Sequence, residues 1–143
     1  MIYNYSIIFY IFISFLFPAQ EIECLNCSDQ NTFSVLVITE TKGYVHRSAI
    51  KAGIELIKII GTDNNFNVFH SSNSNVITAK NLKTINTIIF LNTTSDILNI
   101  TEQKIMEEFI SKGRGFVGVH SAADTEYKWS WYGELVGAYF KSH

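Results

Sequence analysis

The side chains best suited to proton transfer in this sequence are imidazoles, and three of the four histidines stand at or beside the ends of apolar runs, at positions 46, 70 and 120. An imidazole changes charge near neutral pH, so His120 and His46 are candidates for a general base or a metal ligand. Each has a plainer reading: a histidine bonded to neighbouring backbone at 120, and a helix-capping surface histidine at 46. Asp124 and Glu126 follow His120 and are suited to orienting an imidazole, supplying an acid or base, or binding sugar hydroxyls. Asp124, inside the small-residue turn Ser121-Ala122-Ala123, is the better candidate of the two. Tyr127, Trp129, Trp131 and Tyr132 form an aromatic cluster beside it; flat rings with polar tips suit sugar faces, and they equally suit packing a helix onto a sheet. His70 and Asp96 are weaker candidates.

The elements that must hold these groups follow from periodicity. SVLVIT, after Phe33, is a continuous β-branched run that reads as a strand buried on both faces, the kind found in parallel sheets. Ile50, Ile54, Ile57 and Ile60 recur at helical spacing, with Gly61 as the expected stop. A short strand over residues 66–69, a weak helical turn over 79–83, and a buried strand over 87–91 come next. A helix capped by Asn99 or Thr101 then buries Ile105, Phe109 and Ile110 and ends at Gly113. Residues 116–119 form a further strand that breaks at His120, and Leu135, Val136, Tyr139 and Phe140 recur at helical spacing beyond it. Such alternation predicts right-handed crossovers and a parallel sheet with helices on both faces. Ligands then bind beyond the carboxyl ends of the strands, where residues 40–46, 70–73, 92–96 and 120–127 lie. Gly113, Gly115 and Gly118 precede and occupy a strand, so they are no phosphate-binding fingerprint.

The 143-residue chain has a net charge of −2 with its charges scattered, which excludes the basic stripe that neutralises nucleic-acid phosphates. Residues 7–17, IIFYIFISFLF, are uncharged and closed by Pro18, the length of a signal-peptide core and short of a membrane span. The expected organisation is a signal peptide over residues 1–19, a polar linker over 20–32 and one domain over 33–143. Secretion or periplasmic export follows, with an uncleaved anchor as the alternative. Cys24 and Cys27 are too few for a zinc site. They are left to a local disulfide, an intermolecular one, or a disordered tail.

Several stretches carry a family resemblance: Thr41-Lys42-Gly43-Tyr44-Val45-His46, Phe90-Leu91-Asn92-Thr93-Thr94, the run from Gly113 through His120 to Thr125, and the run from Trp131 to Phe140. Together they resemble the hallmark segments of the ThuA-like (trehalose-utilisation) family. The resemblance implies a flavodoxin-like scaffold, similar to the class I glutamine amidotransferases, with its C-terminal part missing from this chain. Those enzymes hold a cysteine after a Gly-Val strand end, whereas Gly118-Val119 is followed here by His120, so glutamine hydrolysis is not expected. The implied function lies in trehalose or related glycoside metabolism, with a small carbohydrate as partner. The alternatives are a non-catalytic sugar-binding module and an inactive remnant. His120, His46 and Asp124 make up the catalytic set, and Asn92, Thr93, Thr94, Tyr127, Trp131 and His143 the substrate-binding set. The residues name no cofactor and leave a metal undetermined.

Overall fold

A computed structural model describes residues 22–27 and 32–142 of the chain. The signal-peptide reading of residues 1–19 and the C-terminal His143 lie outside them. Among the described residues, β1 (Glu23–Cys24), β2 (Ser34–Ile38), β3 (Asn67–Ser71), β4 (Thr87–Leu91) and β5 (Gly115–Val119) form one sheet in the order β1-β3-β2-β4-β5. β2 runs parallel to β3 and β4, and β4 parallel to β5. This is the doubly wound α/β arrangement, and the strand order reverses between β2 and β4.

The expected helices are α1 (Arg47–Asp63), α2 (Ile100–Ser111) and α3 (Ser130–Val136). All five residues of β2 are buried because the strand alternates between two cores. Val35 and Val37 meet Val68 and Leu91 beneath Ile54 and Ile57 of α1. Leu36 and Ile38 join Ile88, Phe90, Met106, Phe109 and Tyr132 on the opposite face, under α2 and α3. Tyr132 is fully buried and stacked on Phe90 at 5.9 Å, its hydroxyl donating to the Ala122 carbonyl at 2.8 Å. Each such buried aromatic contributes roughly 1.5–3 kcal/mol. α2 begins in a capping box: Asn99 accepts from the Thr101 and Glu102 N–H groups while Glu102 accepts from the Asn99 N–H.

Several expectations change. The linker is not wholly a connector, because β1 adds to the sheet antiparallel to β3. Cys24 and Cys27 form the local disulfide, and between them Asn26 accepts from the Val68 N–H at 2.8 Å and donates to the Phe66 carbonyl at 3.4 Å. Gly61 does not stop α1. It lies inside the helix where a Cβ would sit 2.6 Å from a Val68 methyl, so it is there for close packing onto β3, and Asn64 ends the helix. β3 is displaced to Asn67–Ser71, and the weak helical region resolves into two 3-10 turns, Ser74–Val76 and Asn81–Lys83. Finally, α3 stops at Gly137, whose φ of 79° is the left-handed cap. Tyr139 and Phe140 therefore leave the helix, and the Tyr139 hydroxyl turns back to the Glu126 carbonyl at 2.9 Å.

Candidate functional site

Loops from the carboxyl ends of β2, β4 and β5 meet at one edge, where the isolated parallel bridges Thr41↔Thr94 and Ser95↔Thr125 fasten them together. Four residues in these loops have positive φ without being glycine: Asn92 (54°), Ser95 (64°), His120 (53°) and Glu126 (55°). Each conformation costs on the order of 1–3 kcal/mol and persists only where its surroundings enforce it, which is characteristic of functional edges. Histidine and asparagine are among the residues that tolerate it best.

At the end of β5 the sharp turn at His120 brings its ring to His46, with centroids 4.7 Å apart and planes at 73°. Tyr44 extends the row, edge to face with His46 at 4.8 Å. His46 occupies the N-cap position of α1, yet its side chain makes no capping hydrogen bond. The His120 ring likewise contacts His46, and among the described residues no hydrogen bond joins it to backbone. The three rings line an open cleft of about 660 Å³ together with Ser121, Asp124, Tyr139 and Phe140. Among the described residues, no group of three or more His, Cys, Asp or Glu side chains is placed to hold a metal ion.

Asp124 reaches this cleft, but its partner is not an imidazole. The Tyr127 hydroxyl stands 2.6 Å from Asp124 Oδ1 and 2.8 Å from the Phe140 carbonyl, so one phenolic proton faces two acceptors. Burial, then the hydrogen bond and charge of Asp124, push the Tyr127 phenol up to about 12. Tyr127 also stacks on Tyr139 at 4.9 Å, and the arrangement fixes the Phe140 side of the cleft.

Asn92, Thr93 and Thr94 are buried below the cleft surface. The Thr93 hydroxyl pairs with that of Thr125 at 2.8 Å. Thr94 Oγ1 accepts from the Gly43 N–H and donates to the Tyr44 carbonyl, both at 3.1 Å, so it sets the loop that presents Tyr44 and His46. Trp131 stacks on Trp129 at 4.9 Å and packs against the core instead of lining the cleft. Glu126, ranked below Asp124 from sequence, is 1% exposed; it accepts from the Leu98 N–H at 2.7 Å and from the Gln103 amide at 2.8 Å. It anchors the loop after β4. Asp96 pairs with Lys128 at 2.9 Å, a charge-assisted contact that lowers its pKa. His70 lies on β3, its Nε2 2.9 Å from the Thr39 hydroxyl. Burial lowers its pKa, against the opposing pull of Glu23. The sequence alone does not single out Tyr44 or Ser121 as cleft residues, although Tyr44 stands two positions before His46 in the same strand-end loop.

A sequence model of the ThuA family, described as trehalose utilisation, matches residues 34–143. The chain belongs to the ThuA family. In this ThuA-family chain the hallmark run beginning at Gly113 is β5 with its elbow, and the elbow residue is His120. Both cysteines are held in the disulfide beside β1, far in sequence from that turn. Among solved structures, a ThuA-like protein from Bacteroides uniformis ATCC 8492 shares the fold, with a TM-score of 0.61 at 20% identity over 78% of this chain. The matched region is 46% of that protein, so the ThuA-family chain spans less than half the length of its structural relative. No curated protein matches the chain.

Proposed function

We propose that the cleft binds a glycoside of the trehalose class and that His46 and His120 exchange protons with its hydroxyls. The observation that supports this reading is the imidazole pair, 4.7 Å apart at the carboxyl edge of the sheet, with His120 held at positive φ. One ring accepts a hydroxyl proton while the other donates, and Tyr44, Tyr139 and Phe140 offer apolar faces to the sugar ring. The family description, trehalose utilisation, suggests the substrate class. A second reading, sugar binding without catalysis, is favoured by the partner of Asp124, which is Tyr127 and not an imidazole. Calorimetric titration with trehalose, followed by incubation and analysis for products, separates the two. Heat with product supports catalysis and heat alone supports the binding module. No heat from trehalose, glucose or other disaccharides would sink both.

We also infer export of the chain. The uncharged apolar run over residues 7–17 supports it, as does the Cys24–Cys27 disulfide, a bond typical of oxidising compartments. Sequencing the N-terminus of secreted protein is expected to begin near Gln20. An intact Met1 recovered with the membrane fraction would favour an anchor instead.

A further inference from the structure

β5 is the last strand on one side of the sheet, bonded to β4 and, among the described residues, to no other strand. In the parallel ladder the Gly115 N–H donates to the Asn86 carbonyl and the Val119 carbonyl accepts from the Asn92 N–H, so Gly115, Val117 and Val119 turn their backbone groups toward β4. The N–H and C=O groups of Phe116 and Gly118 therefore face outward, a template on which another strand can pair. Edge strands are ordinarily blunted by lysine, proline or a bulge, and Gly115-Phe116-Val117-Gly118-Val119 has no charge and no proline. At its centre Val117 is 45% exposed. An apolar hollow lined in part by Phe116, Gly118, Ala122, Leu135 and Val136 runs beside the strand on the α3 face.

We propose that β5 pairs antiparallel with β5 of a second copy of this chain across a two-fold axis at Val117. In that register the strand is complementary to itself. Phe116 stands opposite the partner's Gly118, and because both present outward-facing backbone groups they exchange N–H···O=C bonds as a hydrogen-bonded pair. The glycine leaves room for the ring across the strand boundary. Gly115 opposite the partner's Val119 repeats the match of small against large. Val117 meets the partner's Val117 in a non-hydrogen-bonded pair, where side chains approach most closely. Centring the axis on Phe116 instead sets ring against ring and leaves Val119 opposite the partner's Gly113, in the turn after α2. A second copy is the occupant this symmetry selects, since an unrelated strand has no reason to place glycine against Phe116 and valine against Gly115.

Sedimentation of the secreted chain is expected to show a dimer that forms as concentration rises. Position 117 faces itself across the axis, so Val117→Lys and Val117→Glu each oppose like charges and are expected to weaken the dimer on the order of tenfold. An equal mixture of the two variants restores it, because lysine then meets glutamate. Both variants are expected to melt close to wild type, the replaced side chain being half exposed. Val117→Cys reads the same geometry by another route. A non-hydrogen-bonded pair sets its Cα atoms about 4.5 Å apart, within disulfide range, so air oxidation links two copies at 117, whereas Val119→Cys, opposite a glycine, stays unlinked. A wild-type monomer throughout the micromolar range, a dimer that both charged variants leave intact, a mixture that stays monomeric, or equal cross-linking at 117 and 119 would each overturn the pairing.

Discussion

Replacing His120 with alanine or glycine is expected to lower glycoside turnover by about 10²–10⁴-fold, the usual worth of a positioned acid or base, with little loss of stability. The stability half of the prediction follows from the backbone. His120 has φ 53°, so glycine at this position relieves strain and offsets its greater freedom in the unfolded chain. Its exposed ring makes no hydrogen bond among the described residues that the fold would miss. His120→Val should behave differently, because a β-branched residue resists positive φ and adds a destabilisation of about 1–2 kcal/mol to the same loss of function. Thermal melts and turnover on the three variants test the pair of claims together. Turnover that survives His120→Gly would remove His120 from the chemistry.

Glu126→Ala is expected to be the more damaging substitution for stability, at about 2–4 kcal/mol, because it strips the acceptor from the buried Leu98 N–H and from the Gln103 amide. Glu126→Gln keeps an acceptor for Leu98 and should be far milder. The two also differ in pH dependence. Burial raises the Glu126 pKa above its ordinary value of 4.5, outweighing the hydrogen bonds from Leu98 and Gln103 that lower it. The folded protein therefore holds this proton more firmly than the unfolded chain does. The contribution of the group to stability is greatest below about pH 4.5 and declines as pH rises through the higher folded value. Urea unfolding of wild type and Glu126→Gln between pH 4 and 8 should show that decline in the wild type and its absence in the glutamine variant. Parallel curves would mean that Glu126 titrates alike in both states.

The parts of the architecture legible from sequence are those written in hydrophobic period. β2 is five consecutive buried residues, β4 coincides with the expected strand, and α2 carries its cap at Asn99. The meeting of His46 with His120 was legible because two parallel strands of one sheet must end at the same edge. Four features were hidden for different reasons. β1 is two residues long and is fastened by the Asn26 side chain to Val68 and Phe66, so no periodicity marks it. Gly61 has the residue type of a helix stop but serves close packing, which depends on Val68 across the interface. Asp124 and Glu126 have the same chemistry in the sequence; only the fold shows that Glu126 points at the Leu98 N–H and that Asp124 is engaged by Tyr127. The threonines at 93 and 94 stand at the correct strand end, yet their hydroxyls face other loops, a direction that strand-end position alone does not determine.

Whether the two imidazoles form the ligand site is read from the histidine ring resonances in solution during a titration with trehalose. His70, held by Thr39 on β3, serves as the internal control. Saturable shifts at His46 and His120 that share one binding curve are expected, while His70 stays unmoved. Saturable binding that leaves both cleft imidazoles unperturbed, or that moves His70 alone, would contradict it.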